Sequence, residues 1–356
     1  MNISYHQLFY KILFAFCAGA IITLFISCEQ SGDDHYAQMF ENRSMASTKQ
    51  MYETEDVYMR FPFRIHQKDS AIYITDIHSI DYFCHKFKFP EIQYSRSLAK
   101  KGNGPDEFLD IENIRIDSDN NVWVLDANRA KISKFDYLSG IKVQEINLSR
   151  DLVRTLDFDL YNDSTFIVPD YTGKNRICYV NKEGEITQRL FNIPIRKKDD
   201  AIADVAYAQA WRSFIDYNED NGVLAVATQM GQVVEFYDLK SNSLINVFYG
   251  KSGEPEFSVR GGYAIPEGIM GYSDVYVGQN YVYAIFWGHS FKEIKNNGDS
   301  MVQGGCYIHQ FDLKGHPVKE IVLDRYITGF VVDEKNKCII GLDVNSDQPI
   351  VEFPLL

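Results

Sequence analysis

The residues in this chain best suited to hold a ligand are carboxylates, arginines and aromatics placed at turns. Asp76, Asp126, Asp170 and Asp343 each close a short apolar run. If those runs are equivalent strands of one repeat, the four carboxylates form a ring that could hold calcium, which takes about six to eight oxygen ligands. The plainer expectation is that each aspartate caps its own turn through a side-chain-to-backbone hydrogen bond. No dense acidic loop of the EF-hand kind occurs, so no cofactor is expected. Asn128, Arg129, Tyr171, Trp211, Arg212, Arg260, Trp287 and His289 join Asp126, Asp170 and Asp343 as candidate ligand-binding residues. Aromatics beside arginines suit stacking on a sugar or gripping a carboxylate. Trp211 and Trp287 could equally pack between structural units.

Signatures of catalysis are missing. There is no G-x-S-x-G elbow, H-E-x-x-H pair, phosphate-binding Walker loop or dinucleotide fingerprint. The eight histidines are scattered. A two-carboxylate glycosidase needs no fixed spacing, and among 49 acids the sequence selects no pair. Asp and Glu outnumber Lys and Arg by 49 to 36, a formal charge of −13. Such a surface repels nucleic acid and anionic lipid head groups.

The elements that must position these residues are short strands. In residues 113–148, Ile114 and Ile116 alternate with polar neighbours, and residues 117–121 make a turn. Val122-Trp123-Val124-Leu125 is apolar on both faces, and two further strands follow before Leu148. Four antiparallel strands in so short a span make one propeller blade. The pattern that ends its third strand recurs at Phe135-Asp136, Val180-Asn181, Tyr237-Asp238 and Phe311-Asp312, at intervals that lengthen along the chain.

A second repeat sets the count. Gly102-Asn103-Gly104-Pro105-Asp106-Glu107-Phe108 returns loosely as Gly253-Glu254-Pro255-Glu256-Phe257. The two phenylalanines are three intervals of about fifty residues apart, a propeller-like period. Residues 57–356 then hold six blades, the last short of one strand, which the N-terminal segment must supply to close the ring. Glycine freedom and proline stiffness fit the phrase to an inter-blade turn. Phe108 and Phe257 are expected to plug the gaps between blades, with Glu107 and Glu256 accepting backbone N–H groups.

Blade-to-blade connections share a face with the turns between second and third strands. Three long insertions, residues 195–212, 258–271 and 288–305, fall on that face. Loops of that length are usually functional, so this face is the expected ligand surface.

The order Gly-x-Gly-Pro-x-Glu-Phe, Ile-x-Ile-Asp, Val-Trp-Val-Leu-Asp and Lys-Phe-Asp resembles the six-bladed β-propeller lipoproteins of Bacteroidetes, which are similar to TolB-like and NHL-type propellers. Tyr-Val-Tyr-Ala and Gly-Phe-Val-Val-Asp-Glu in residues 281–345 fit the same group. The resemblance implies an all-β fold of four-stranded antiparallel blades and an exported protein, but no reaction. At the N-terminus, an uncharged run over residues 12–26 ends in Phe25-Ile26-Ser27-Cys28, which resembles a lipobox. Residues 1–27 then form a signal peptide, and Cys28 carries the lipid that attaches the protein to the outer membrane. Residues 29–34, Glu-Gln-Ser-Gly-Asp-Asp, resemble a surface-export signal. Residues 28–56 read as a tether with the ring-closing strand, and 57–356 as the propeller. Cys84, Cys178, Cys306 and Cys338 are too dispersed for a metal or redox pair and read as separate buried thiols.

The leading expectation is a lipid-anchored propeller that binds a glycan, peptide or partner protein on its loop-rich face without catalysis. The alternatives are a metal-assisted hydrolase, lactonase or lyase, and a structural subunit of an outer-membrane assembly.

Overall fold

The computed structural model describes residues 39–54 and 56–356. Signal peptide, lipidation at Cys28 and the acidic run after it fall outside the described residues. Six β-sheets form six successive blades. Their first strands are Pro62–Lys68, Ile111–Ile116, Asp159–Asn162, Ser213–Asn218, Tyr272–Val277 and Phe330–Asp333. In each blade the later strands pair antiparallel and outward in chain order. Blade 2 shows the pattern: Ile111–Ile116, Val122–Asp126, Lys131–Phe135 and Lys142–Asn147. Its second strand is buried along its whole length, as its two-sided apolar run requires.

The core is divided among the gaps between blades. One apolar cluster fills each of the six neighbouring pairs, including blade 6 against blade 1. Across the first gap Phe83 and Leu98 meet Ile114 and Val124; across the last, Val331 and Ile340 meet Ile65 and Ile72. The ring is closed from the N-terminus. Gln50–Tyr52 pairs antiparallel with Ile350–Pro354 as the fourth strand of blade 6, Met51 opposite Val351. One strand was not foreseen: Arg43–Ala46 adds in parallel to Pro317–Ile327 and makes blade 5 five-stranded. In blade 1 Ala71–Asp76 is the second strand; Pro62–Lys68 precedes it and lines the axis.

The insertions are folded. Residues 195–212 contain the helix Asp204–Ala210, and residues 258–271 lie in a hairpin of Phe257–Arg260 with Tyr263–Pro266. Residues 288–305 contain the helix Phe291–Asn297, started by a capping box of Ser290 and Glu293. Among the described residues no helix is long and apolar enough to cross a membrane. Cys84, Cys178 and Cys338 are buried free thiols; Cys306 is half-buried and also free.

Candidate functional site

The axis of the ring is built from alternate residues of the first strands, and these are mostly charged. Phe63 of blade 1 and Phe214 of blade 4, on opposite sides, bring their rings to 6.0 Å and close the channel. Beneath this plug the Arg64 guanidinium lies 5.0 Å from the Phe214 ring centroid. Its Nη1 is 3.0 Å from Asp274 and its Nη2 3.5 Å from Asp157. The Asp274 contact is an ion pair by proximity and not an aligned hydrogen bond, since Nη1 lacks a partner by that stricter measure.

The carboxylates have a structural reason to be here. An inner strand has one ladder edge with no further strand to pair with, so its N–H groups need other acceptors. Asp157 accepts from Ile215 N at 2.9 Å, Asp159 from Tyr217 N at 2.9 Å, Asp216 from Val277 N at 2.7 Å, and Asp274 from Phe330 N at 3.2 Å. Each bond runs from one blade to the inner strand of the next. Blades 3, 4 and 5 therefore contribute acids, while blades 1 and 2 contribute Arg64, His66, Asn113 and Arg115. Asn113 Oδ1 accepts from Ile114 N at 2.8 Å and contacts His66 Nε2 at 3.0 Å, while its amide donates to Asp157.

Arg115 ties the two halves together. Its Nη2 donates to Ile215 O at 2.6 Å, and Asp216 lies 3.7 Å from the same nitrogen. Asp159 is 2.9 Å from Nε but off the N–H direction, so that donor has an ion pair and no hydrogen bond. Burial works against the Arg115 charge, yet Asp159, Asp157 and Asp216 outweigh it and hold the guanidinium more firmly protonated. Burial also pushes Asp216 up to about 8 and Asp274 up to about 6, against the pull of Arg115 and Arg64 respectively. Asp159 shifts upward for the same reason. Burial, followed by Arg115 and Arg64, holds His66 well below its ordinary value, so the ring is neutral.

Below the charged layer, on the face of the turns between first and second strands, a cavity of about 460 Å³ opens. His66, Arg115, Asp159, Asp216, Tyr217 and Tyr276 lie toward the axis, and Asp119, Asp163, Glu219, Lys68 and Lys182 toward the rim. Volumes of about 300–1,000 Å³ are usual for small-ligand pockets. The cavity is blind, because Phe63 and Phe214 stand between it and the other mouth.

The residues expected to form a site on the loop-rich face behave differently. Asp126 accepts from Leu109 N and Arg129 N, both at 3.0 Å. Asp76 accepts from Arg60 N and Phe61 N, both at 2.8 Å. Asp170 takes Thr172 N at 2.9 Å and pairs with Arg189; Asp343 takes Asn345 N at 3.0 Å and pairs with Arg325 at 3.1 Å. These four carboxylates cap their turns, two of them also fixing the incoming connection. Among the described residues no group of three or more His, Cys, Asp or Glu converges as a metal-holding set.

Trp211 is buried with Tyr207, Ala210 and Val233, and Tyr171 is buried with its hydroxyl 3.5 Å from Ser213 O. Asn128 donates to Asp110 at 3.1 Å. Arg212 is half-buried, with its charge felt by Glu112. Arg260 is exposed on the hairpin. Trp287 meets His289 edge to face at 5.9 Å, and its buried Nε1 has no partner. None of these residues lines the 460 Å³ cavity, nor a second one of about 620 Å³ on the loop-rich face, formed by residues 57–60 and 344–349 with neighbours.

The first copy of the repeated phrase is the fastening it promised to be. Phe108 is buried between blades 1 and 2, its ring 5.8 Å from Phe135. Glu107 accepts from Gly104 N at 2.9 Å, and Arg129 donates to the carbonyl oxygens of Gly102 and Glu107. A Cβ on residue 102 would lie 2.0 Å from Glu107 Oε2, so a larger residue there would turn the Glu107 carboxylate out of its seat. The second copy needs correction. Phe257 opens the inserted hairpin and packs on Tyr207 of the connecting helix at 5.5 Å, away from any blade-to-blade gap. Glu256 is exposed, and its backbone carbonyl, not its carboxylate, accepts from Glu267 N and Gly268 N.

Sequence reasoning missed Arg64, His66, Asn113, Arg115, Asp157, Asp159, Asp216 and Asp274. The signal was a polar residue at every second position in the first strand of blade 2 and on the approach to that of blade 3, as in Asn113-Ile114-Arg115-Ile116 and Asp157-Phe158-Asp159-Leu160.

A six-bladed propeller with a plugged axis and a charged blind cavity is a scaffold on which many functions occur. The chain belongs to the TolB-like 6-blade propeller-like family, whose pattern matches residues 40–335. In three dimensions it is similar to a protein described as exported from Bacteroides fragilis, with a TM-score of 0.55 and 9% identity over 88% of this chain and 98% of that one. It is also similar to a member of the duf4221 family from Bacteroides vulgatus, with a TM-score of 0.54 and 12% identity over 87% of this chain and 95% of that one. At those identities the likeness is one of fold. No curated protein matches the sequence.

Proposed function

We propose that this propeller is an exported, lipid-anchored binding protein that holds a small polar ligand, a glycan fragment or a peptide, in the 460 Å³ cavity. The observation that supports this reading most is the blind cavity floored by charged inner-strand residues. Buried charge is costly unless paired, so a solvent-open pocket lined by both signs is an arrangement a polar ligand can complete. The channel carboxylates already accept backbone N–H groups, which favours holding a ligand over transforming one.

Glycan and peptide arrays probed with the purified full chain test the idea, alongside a Gln279→Trp variant that fills the cavity from an exposed turn. Ligands that bind both proteins equally would place the site elsewhere. For the anchor, the cells should incorporate labelled palmitate into the wild type and not into Cys28→Ser.

The loop-rich face supports a second reading as a surface for a partner protein. Tyr263 is 64% exposed and Ile265 40% exposed on the outer side of the inserted hairpin. A photocrosslinker at position 263 should capture a discrete partner in the native membrane; labelling no stronger than at exposed Lys88 would remove this reading.

A further inference from the structure

We propose that the ligand of the cavity is a short peptide with free ends, its terminal ammonium on Asp216 and its carboxylate on Lys182. This rests on the cavity being the binding site and specifies what it takes.

An acid and a base in the cavity are left incompletely matched. Asp216 commits Oδ2 to Val277 N, while Oδ1 accepts no hydrogen bond among the described residues and lies 3.7 Å from Arg115 Nη2. Its side chain is 16% exposed, and it lines the cavity. Lys182, on the turn between the third and fourth strands of blade 3, also lines the cavity and has no ion pair among the described residues; its ammonium lies 5.7 Å from the Trp123 ring centroid. The other lysine on that ring, Lys134, is neutralised by Asp117 at 2.9 Å. A third observation makes this more than a group of acids. Arg115 is buried, lines the cavity, and keeps an Nε–H with no acceptor in line.

A ligand that completes this pattern must carry a cation at one end, an anion at the other and hydrogen-bonding groups between. A short peptide has all three, and the cavity volume suits two or three residues. Charge-assisted hydrogen bonds at both ends give the geometry its selectivity. Docking of an ammonium displaces the proton that burial leaves on Asp216; Arg115, Asp159, Asp274 and Tyr276 are the charged or titratable groups that face it.

The probes are Ala-Ala-Ala and Ala-Tyr-Ala, the tyrosine chosen to meet Tyr217 and Tyr276, each also as its N-acetylated and C-amidated form. Calorimetry with the full chain should show binding of the free peptides. Acetylation should weaken it by about tenfold or more, and amidation by somewhat less. Asp216→Asn keeps an acceptor for Val277 N, so the fold is retained. It should bind free and acetylated peptide alike, and Lys182→Met should bind free and amidated peptide alike. Failure of both free peptides to bind, equal binding of acetylated and free forms by the wild type, or an equal loss for both forms in Asp216→Asn overturns the proposal. If an array ligand is excluded by Gln279→Trp while neither tripeptide binds, the cavity keeps its role and only the peptide assignment falls.

Discussion

The two mouths of the channel use polar residues in opposite ways. On the loop-rich side, long insertions fold into two helices and a hairpin, and the aspartates that close the second strands are taken up as caps by backbone N–H groups. Asp126 and Arg129 both serve the Gly102–Phe108 turn. On the cavity side the turns are short, and charged groups of the inner strands face open space. The difference teaches that a carboxylate at a turn is consumed by the N–H groups of that turn, whereas one on an inner strand serves an N–H of the next blade and can keep its second oxygen for the cavity, as Asp216 does. Loop length alone does not mark where charge is left facing open space.

The comparison breaks most readily at the wall between the two mouths. Replacing Arg64 by Met leaves Asp157 and Asp274 buried without their shared cation, and should cost about 3–5 kcal/mol in urea unfolding at neutral pH. A loss near zero would mean that the axis is wet and the two mouths communicate. The two phenylalanines of the repeated phrase come next. Phe108→Ala empties a gap between blades and should cost about 3 kcal/mol, whereas Phe257→Ala, on a half-buried hairpin residue, should cost about 1 kcal/mol. Equal losses would restore the two copies to one role.

The charge on the cavity side can be read through pH. Asp216 and Asp274 keep protons in the folded chain that the unfolded chain loses near about pH 4. The folded state then binds more protons than the unfolded one, so this contribution to stability falls as pH rises from about 4 to about 8. The midpoint temperature of the wild type should drop relative to that of Asp216→Asn across this range. Parallel curves would show that Asp216 ionises freely. The smallest effect is expected on the other face, where Arg260→Ala should change stability by less than about 0.5 kcal/mol and leave tripeptide binding unaltered.

Much of the architecture was legible because it is carried by local patterns. The apolar run Val122–Asp126 announces a buried second strand, and Gly102, Glu107 and Phe108 announce a fastening. Asp76 and Asp126 were readable as caps for the same reason, since a cap acts on its own turn. The site was not legible, because Arg115, Asp157 and Asp216 come from three blades and acquire meaning only around the axis. Arg115 and Asp216 also sit in strands that read as weak when apolar runs are counted, and Asp157 lies just before one. The parallel strand Arg43–Ala46 was hidden by its shortness, its polar composition and a partner strand near the other end of the chain.

Closure of blade 6 by Gln50–Tyr52 has a consequence for the order of events as the chain is made. Synthesis delivers that strand before every other strand of the six blades except Arg43–Ala46, and its partner, Ile350–Pro354, after them. The first four blades can each assemble from neighbouring strands as they emerge, with connections of low sequence separation. The clasp must wait, unpaired, until the strands between it and its partner have been made. A chain stopped a few residues short would hold nearly every blade and still present an open edge, the form most prone to pair with another molecule.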